Sequence, residues 1–454
     1  MTPKFGTDGV RGIANAELTP ELVLALGRAA ARVLGGPRFL IGRDTRASGP
    51  LLQAALSAGL AAEGVDVVDL GVLPTPGVAA LSAADQVPAA MISASHNPFS
   101  DNGIKLFAAG GRKLAADVES RLEAALALEV GKREGSEGRD EAAPVGAAVG
   151  RAFADPAGRE RYQRLVLASL RGRRLGGLRV AVDCAHGAAA ETAPALLRQA
   201  GAEVVAVLGD RPDGTNINDR CGSTDPSSLQ AAVVDAEADA GLALDGDADR
   251  VIAVDHTGAV VDGDQMIAAL ALDRMARGAL AGGTVVVTVM TNLGFHLAMQ
   301  EHGVAVHTTP VGDRHVLEAL DRGGWSLGGE QSGHVIFRDL ATTGDGVLTG
   351  LQLLDAVVRS GRSLRELSGR AMVRLPQVLR NVRVSHPGGL DEPEAAGVWA
   401  EVKAVEAAFG DRGRVVLRGS GTEPLIRVMV EAPSHEEAEA AAGRLAEAVA
   451  QALG

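Results

Sequence analysis

The sequence has few aromatic residues, few cysteines and no long apolar run, and each shortage excludes a class of protein. Aromatic side chains make up 2% of the 454 residues, so the cores must be built from alanine, valine and leucine. Two cysteines, Cys184 and Cys221, cannot form a disulfide framework, and they suit a reducing cytosol. Since about 18 consecutive apolar residues occur nowhere, we expect no membrane-spanning helix. The N-terminal "MTPKFGTDGVRG" lacks the apolar segment of a signal peptide, so we expect a cytoplasmic protein.

Positive charge is also in short supply. The chain has 44 basic and 57 acidic residues and a net charge of −13, which excludes an extended basic surface for nucleic acid. An anionic ligand must therefore be met by a local cluster of positive groups. The length of 454 residues is enough for about three domains, or for four small ones.

Three segments, 38–71, 178–209 and 283–312, share one order: apolar strand, small-residue loop, amphipathic helix, glycine, second apolar strand. This order predicts α/β layers with largely parallel strands. Repeats roughly a hundred residues apart are too long for a solenoid and indicate related domains. The glycines fit the position just after each helix, where a positive φ costs little; they are Gly64, Gly201 and Gly303.

The C-terminal part has a different pattern. Strand-like segments alternate with a helix near 394–409 and a final alanine-rich helix, in which Ser434 and Glu437 match a capping box. We expect a compact α+β domain joined near 368–376. A glycine- and glutamate-rich stretch, 129–146, is either a second linker or an exposed surface excursion.

The segment "LALDGDADRV", 242–251, places three aspartates directly after an apolar strand. Asp245, Asp247 and Asp249 can converge only where the chain bends, and clustered carboxylates repel one another unless a hard divalent cation lies among them. An EF-hand is excluded because Arg250 and His256 stand where glycine and glutamate are needed. The segment predicts a Mg²⁺ site, with an acidic surface turn as the alternative.

The segment "LRGSGTEPLIRV", 417–428, combines glycines and hydroxyls with two arginines, Arg418 and Arg427. Forked guanidinium donors and backbone N–H groups suit a phosphate. The segment lacks the Lys-Ser/Thr ending of a nucleotide-binding P-loop, so ATP binding is not implied. The alternative is a polar hairpin turn.

Three further segments carry polar groups. In "GGEQSGH", Glu330, Ser332 and His334 would share one side of an extended chain, which suits sugar hydroxyls; the alternative is a solvated loop. In "FGTDGVRG", Arg11 is the strong anion contact within a glycine-rich turn. In "TTGDG", Asp345 is predicted to lie near a helix N-cap.

The segment "MISASHNPFSDNGIKLF", 91–107, ends an apolar strand in Ser95 and His96. Adjacent side chains point different ways, so these two do not form a catalytic triad by themselves, although the fold could still bring a distant base to the serine. A serine that already carries phosphate needs no such base, because it is itself a phosphoryl donor held by metal. The alternative is a serine-rich turn whose shape Pro98 fixes.

The loops "SASHNP…DNGIK", "DGDADR", "GGEQSGH" and "RGSGTEP" resemble, in order and spacing, those of the α-D-phosphohexomutases. The resemblance spans essentially the whole chain. It implies three similar α/β mixed-sheet domains plus a smaller C-terminal α+β domain, TATA-binding-protein-like, in a heart-shaped arrangement. The domains expected from it are residues 1–152, 153–254, 255–371 and 372–454.

The resemblance also implies residue roles. Ser95 looks like the phosphoserine, and its phosphate oxygen would complete a Mg²⁺ site of Asp245, Asp247 and Asp249. Glu330 and Ser332 would bind sugar hydroxyls. The non-reacting phosphate would be held by Arg418, Ser420, Gly421, Thr422 and Arg427. The reacting group would be surrounded by Arg11, His96, Lys105, Arg250 and His334, and either Lys105 or His334 would transfer the proton.

The segments "FGTDGVRG", "TTGDG" and "PQVLRNVRV" resemble the bacterial branch that interconverts glucosamine 6-phosphate and glucosamine 1-phosphate. This implies one Mg²⁺ per subunit, glucosamine 1,6-bisphosphate as activating intermediate, and a product that feeds UDP-N-acetylglucosamine and cell-wall synthesis. We expect a hexosamine phosphate as substrate and neither nucleic acid nor membrane as partner; a homodimer is left open. The alternatives are a mutase for mannose or glucose phosphates, a non-catalytic sugar-phosphate sensor, and a metal-dependent phosphatase.

Overall fold

The computed structural model describes residues 9–135, 143–385, 389–391, 393–419 and 424–454. These residues form four β-sheets that follow one another along the chain, each covered by helices.

The first sheet has seven strands in the order β1-β5-β4-β2-β3-β7, with β6 beside β5. Its elements are β1 (Val10–Ile13), α1 (Pro20–Leu34), β2 (Arg38–Arg43), α2 (Gly49–Ala62), β3 (Asp66–Val72), α3 (Thr75–Asp85), β4 (Ala89–Ile92), β5 (Asp101–Ala108), β6 (Arg112–Lys113), α4 (Ala116–Gly135) and β7 (Ala152–Ala154).

The second sheet has five strands in the order β12-β11-β10-β8-β9. Its elements are α5 (Gly158–Ala168), β8 (Arg179–Asp183), α6 (Thr192–Ala200), β9 (Glu203–Leu208), α7 (Ser227–Asp235), β10 (Ala240–Leu244), β11 (Val251–Asp255) and β12 (Val260–Val261).

The third sheet has four strands in the order β14-β13-β15-β16. Its elements are α8 (Gly263–Ala276), β13 (Thr284–Thr288), α9 (Leu293–Glu301), β14 (Ala305–Thr309), α10 (Asp313–Gly323), β15 (Leu327–Gly329), β16 (Val335–Phe337), α11 (Gly346–Ser360) and α12 (Leu364–Ala371).

The fourth sheet has three antiparallel strands in the order β17-β19-β18. Its elements are β17 (Gln377–Arg383), α13 (Ala396–Phe409), β18 (Arg414–Gly419), β19 (Leu425–Glu431) and α14 (His435–Leu453).

The first three sheets repeat one βαβαββ unit. In each, a central strand (β2, β8 or β13) lies between two parallel strands, and an antiparallel strand (β5, β11 or β16) follows beside the third strand of the unit. The fold class predicted from the sequence is therefore confirmed: three mixed α/β sheets and a smaller antiparallel sheet. The predicted domain boundaries stay predictions.

The glycines predicted to end the three repeated helices do so. Gly64, Gly201 and Gly303 follow α2, α6 and α9 with φ of +82°, +102° and +69°. A side chain is strained in this region, so glycine turns the chain back to the sheet at little cost.

One apolar cluster joins the three larger sheets. It contains Leu40 and Met91 from the first sheet, Val182 from the second and Val285 from the third, all buried. A shared core of this kind packs the three units against one another. The fourth sheet has its own cluster, formed with α13 and α14.

Two predictions about local structure need correction. The stretch 129–146 is not simply a linker, because its first residues belong to α4; residues 136–142 lie outside the described part of the chain. Ser434 caps α14 by accepting from the backbone N–H of Glu437 at 3.2 Å, but Glu437 bonds to the Ser434 hydroxyl rather than to its backbone. The cap is half of a capping box.

Candidate active site

The four loops singled out in the sequence are all hairpin connections. The first three leave the carboxyl end of a strand that belongs to a parallel pair and return in the adjacent antiparallel strand: β4 to β5, β10 to β11, and β15 to β16. The fourth joins β18 to β19. Polar residues at the carboxyl ends of parallel strands are a common basis for binding sites in α/β folds.

Ser95 is fixed at both its hydroxyl and its backbone. Its Oγ donates to Asp245 Oδ2 at 2.6 Å, and its N–H donates to Ser93 Oγ at 2.9 Å. The residue is 2% exposed and adopts a φ of +53°, in the left-handed region. A non-glycine residue in that region persists only where surrounding contacts hold it, and such residues cluster at functional sites.

The three aspartates converge as the sequence predicted. One ligand atom of each lies within 4.8 Å of the others, and all three residues are buried. Asp247 Oδ2 accepts from Thr75 Oγ1 at 2.6 Å and from Lys105 Nζ at 2.8 Å, and Asp249 Oδ2 lies 3.3 Å from the same ammonium.

The spare oxygens of this cluster suit a cation. Asp247 Oδ1 and Asp249 Oδ1 are buried, and neither has a hydrogen-bond partner among the described residues. Hard carboxylate oxygens in this number are the ligands that Mg²⁺ prefers, with further positions left for substrate oxygens. The residues present therefore fit a Mg²⁺ ion.

The carboxylates of the cluster repel one another. Burial, followed by the charges of Asp249 and Asp247, raises the pKa of Asp245 well above its usual range. Burial also acts on Asp247, but the Lys105 ammonium and the Thr75 hydroxyl outweigh it and lower the pKa of that carboxyl. Asp247 is thus favoured in its ionised form, and a bound cation would remove the repulsion that Asp245 experiences.

Two arginines surround His96. Its Nδ1 lies 3.3 Å from a guanidinium nitrogen of Arg250, and burial together with the charges of Arg250 and Arg11 lowers the pKa of His96. A neutral imidazole between two guanidinium groups is an arrangement that suits an anion. Arg11 reaches this place because β1 pairs with β5, Arg11 opposite Gly103.

The third loop meets the second, but not in the predicted form. The chain at residues 330–334 is a tight turn, not an extended segment, because Glu330 N–H donates to the carbonyl of His334 at 3.0 Å. The expected alternation of Glu330, Ser332 and His334 on one side is therefore wrong, and Ser332 is exposed while His334 is buried. The Glu330 carboxylate accepts from Gly312 N–H at 3.0 Å and is among the charges that raise the pKa of Arg250.

His334 lies against a buried ion pair. Its Nε2 is 3.5 Å from Asp313 Oδ2, and that carboxylate also accepts from Lys113 on β6. The charges of Lys113 and His334 overcome the effect of burial and lower the pKa of Asp313. Both ring nitrogens of His334 are buried and without a hydrogen-bond partner among the described residues.

Arg418 and Arg427 lie directly opposite each other on β18 and β19. Like charges in this position destabilise a strand pair, and burial together with the charge of Arg427 lowers the pKa of Arg418. An anion bound between the two side chains would offset the repulsion between their guanidinium groups. Ser420, Gly421 and Thr422, predicted to share this site, lie outside the described residues.

Several residues of the site were not singled out from the sequence. Thr75 holds Asp247. Arg46 and Asn218 bond to the backbone of the Ser95 loop, and Asp44 holds Arg46. The available signal was their position: "DTR" at 44–46 follows β2 directly, and "NIND" at 216–219 follows a glycine-containing loop after β9.

No helix of the described residues is long and apolar enough to cross a membrane.

Four family domains match successive parts of the chain. The phosphoglucomutase/phosphomannomutase α/β/α domains I, II and III match residues 2–130, 160–258 and 262–375, and the C-terminal domain of the same family matches residues 379–448.

Whole proteins match over the same length. A phosphoglucosamine mutase of Saccharopolyspora erythraea is 56% identical over 460 residues, which cover 99% of each chain, and that of Thermobifida fusca is 54% identical, covering 99% of this chain and 98% of its own. A crystal structure of a phosphoglucomutase/phosphomannomutase family protein from Burkholderia thailandensis superposes with a TM-score of 0.80 at 25% identity, covering 100% of this chain and 98% of the other. The N-acetylphosphoglucosamine mutase of Aspergillus fumigatus, in complex with GlcNAc-6P and magnesium, has the same fold, with a TM-score of 0.67 at 19% identity over 99% and 96% of the two chains.

Proposed function

Since the chain belongs to the phosphoglucomutase/phosphomannomutase family and is a mutase of that family, we propose that it interconverts glucosamine 6-phosphate and glucosamine 1-phosphate through a phosphoserine at position 95. The observation that carries the proposal is the contact of Ser95 Oγ with Asp245, at 2.6 Å, inside a cluster of three buried aspartates. The amino sugar is favoured because relatives more than half identical over the whole chain are named phosphoglucosamine mutase.

The first half of the cycle is a phosphoryl transfer. The bond between phosphorus and Ser95 Oγ breaks, a bond between phosphorus and the C1 oxygen of glucosamine 6-phosphate forms, and the C1 hydroxyl proton passes to a base. The product is bound glucosamine 1,6-bisphosphate, and the serine hydroxyl recovers a proton. The candidate bases are Lys105 and His334. Either one would have to reach the sugar oxygen directly or through one water.

Charge stabilisation accounts for the other residues near Ser95. A Mg²⁺ ion held by Asp245, Asp247 and Asp249 would neutralise charge on the phosphoryl oxygens; the Aspergillus fumigatus enzyme was crystallised with magnesium. Arg11, Arg250 and Lys105 add fixed positive charge around the same group. Phosphoryl transfer depends mainly on such positioning and electrostatics.

The second half requires the bisphosphate to turn end for end and return its C6 phosphate to Ser95. A second phosphate site must then accept either end of the sugar, and the opposed pair Arg418 and Arg427 is the positive cluster suited to it. Glu330 and Ser332 would contact the hydroxyls between the two phosphates. The glucosamine 1-phosphate released would supply UDP-N-acetylglucosamine and cell-wall synthesis.

The test is a ³¹P NMR assay of purified protein with Mg²⁺, a trace of glucosamine 1,6-bisphosphate, and the 6-phosphates of glucosamine, glucose and mannose in separate reactions. We expect fastest conversion of glucosamine 6-phosphate, and no conversion by Ser95→Ala with an unchanged melting temperature. Faster turnover of glucose or mannose phosphate would replace the proposed substrate. Release of inorganic phosphate would indicate a phosphatase, and binding without turnover would indicate a sensor. Full activity of Ser95→Ala would exclude a phosphoserine at position 95.

A further inference from the structure

The backbone of the Ser95 loop is gripped by two side chains from different parts of the molecule. Arg46 Nη2 lies 3.2 Å from the carbonyl oxygen of Ser95 and 2.6 Å from that of Asn97. Asn218 Nδ2 lies 2.9 Å and 3.1 Å from the same two oxygens. Two donors thus share two acceptors. We call this arrangement of Arg46, Asn218 and the carbonyls of Ser95 and Asn97 the carbonyl clamp.

The clamp explains a conformation that serine does not adopt unaided. Two carbonyl dipoles that point to one place repel each other unless donors lie between them, and Ser95 also has a φ of +53°. With its N–H bonded to Ser93 Oγ and its carbonyl in the clamp, Ser95 has both backbone groups fixed. The fixed backbone sets the position of its Cβ, from which Oγ donates to Asp245 at 2.6 Å.

The two donors differ in origin. Arg46 follows β2 of the first sheet, is 1% exposed, and is held by the buried Asp44, which accepts from its backbone N–H at 2.9 Å and from its guanidinium. Asn218 comes from the loop after β9 of the second sheet, where its N–H donates to the carbonyl of Ala185 at 3.0 Å. The clamp therefore closes only when the sheet that carries Ser95 and the sheet that carries the aspartates are docked.

The aspartate loop is shaped to leave room for the clamp. A Cβ at Gly246 would lie 2.6 Å from the Ser95 carbonyl oxygen and 2.8 Å from Asn218 Nδ2. Both distances are too short for any side chain, so glycine at 246 is required by the clamp itself. The "DGDADR" sequence thus has a packing reason for its glycine as well as a chemical reason for its aspartates.

From this geometry we infer that Asn218, with Arg46, is a positioning residue for phosphoryl transfer: it holds the Ser95 backbone so that the phosphoryl group points at the reacting sugar oxygen. The inference rests on the proposed role of Ser95 as the phosphoryl carrier. Asn218 acts through the backbone of Ser95 and has no part in holding the sugar. Its loss should therefore lower kcat and leave KM nearly unchanged, since misplacement by about 1 Å costs as much as about a hundredfold in rate.

The test uses two substitutions at one position and a matched control. Asn218→Asp keeps the shape but places a carboxylate against two carbonyl oxygens, and Asn218→Gly removes the donor while tolerating the positive φ of +59° at this residue. Asn216→Asp is the control, because Asn216 is in the same loop but bonds to Arg211 and Asp213. Each protein is assayed with glucosamine 6-phosphate, and its rate of phosphoryl transfer from the phosphoenzyme is measured by rapid quench.

We expect Asn218→Asp and Asn218→Gly to lower kcat and the transfer rate at least about tenfold with KM within about twofold, and Asn216→Asp to match the wild type. The inference is overturned if both Asn218 variants keep kcat within about twofold of wild type, or if KM alone rises. Should Asn218→Asp fail to fold, Asn218→Gly decides. If the wild-type protein does not isomerise glucosamine 6-phosphate, both the proposed function and this inference fail. If the wild type and both Asn218 variants are fully active, the proposed function stands and only the positioning role of Asn218 is wrong.

Discussion

At the scale of single residues, the site is a balance between repulsion and the ligands that relieve it. Three buried aspartates lie together, and the pKa of one, Asp245, is raised because burial and its two neighbours disfavour its charge. Lys105 and Thr75 relieve part of this repulsion at Asp247. The unpartnered oxygens of Asp247 and Asp249 are placed where they could bind a cation. Holding these carboxylates together without a cation lowers the stability of the metal-free protein.

The substitution Asp249→Asn tests this balance. It removes one ligand charge, so we expect the Mg²⁺ concentration for half-maximal activity to rise at least about tenfold, a difference of about 1.4 kcal/mol in binding. Because it removes one repelling carboxylate together with the ion pair to Lys105, the melting temperature without Mg²⁺ should change little. Titration of activity and of thermal unfolding with MgCl₂ checks both.

Asp235→Asn, at the exposed end of α7, is the control for that experiment and should leave both curves unchanged. A normal Mg²⁺ requirement in Asp249→Asn would show that this carboxylate does not contact the ion.

The site residues that could be predicted lie close together in sequence. The residues that were missed lie far in sequence from the residues that they contact. The aspartates were predictable because three of them fall within five positions after an apolar strand. Thr75 is 172 positions from the Asp247 it bonds to, and Asn218 is 123 positions from Ser95. Nothing local in "LPTPG" or "NIND" indicates those contacts, which only the docking of sheets creates.

At the scale of elements, hairpins and helix ends decide where charge accumulates. The pairing of β18 with β19 forces Arg418 opposite Arg427, although like charges there destabilise the strand pair. Such a pair is expected where an anion binds. The residue types alone predict an anion site in this segment. Only the register of β18 and β19 shows that the two arginines face each other.

For the substitution Arg418→Gln we expect KM for glucosamine 6-phosphate to rise about tenfold or more, because a charge-assisted hydrogen bond to phosphate contributes about 1.5–3 kcal/mol. We expect little change in kcat, since the phosphate held there does not react. Steady-state kinetics check this, with Arg383→Gln on the exposed part of β17 as the matched control. An unchanged KM in Arg418→Gln would place the second phosphate elsewhere.

The start of α8 gives a pH-dependent contribution to stability. Burial, followed by the charge of Asp262, raises the pKa of Asp264 to about 7. The folded protein then holds a proton that the unfolded chain has lost, so this group stabilises the fold at low pH. That contribution is lost as the pH rises from about 4 to about 7, with a slope of at most about 1.4 kcal/mol per pH unit.

Asp264→Asn cannot titrate, so its free energy of unfolding should fall less steeply than that of the wild type between pH 4 and 7. Urea unfolding at several pH values measures the two slopes. Equal slopes would mean that Asp264 is ionised throughout this range in the folded protein.

At the scale of the whole molecule, the repeated order of elements made the fold predictable. Three segments with the same strand–helix–glycine–strand pattern became three βαβαββ units with the same strand order. The sequence did not show that a single apolar cluster, including Leu40, Val182 and Val285, would join all three. Alternation of apolar residues shows which face of a strand is buried, but not which distant element covers it.

The same limit explains the errors at the third loop. Glu330, Ser332 and His334 alternate as in a strand, but Gly333 has a φ of +88° and closes a turn between β15 and β16. A Cβ at Gly333 would lie 2.0 Å from the carbonyl oxygen of Val251, so contact with the second sheet sets the shape of the third loop. The geometry of one domain's loop is decided by its neighbour.

The proposed mechanism requires Ser95 to carry a phosphoryl group that reaches the sugar, and an isotope chase tests this most directly. The protein is labelled with ³²P from glucosamine 1,6-bisphosphate, the labelled residue is identified by peptide mapping, and the labelled enzyme is mixed with unlabelled glucosamine 6-phosphate and Mg²⁺. We predict label on Ser95 alone, and its transfer to glucosamine phosphates within the time of one turnover. Label on another residue, or label that stays on Ser95 while product forms, would contradict the account.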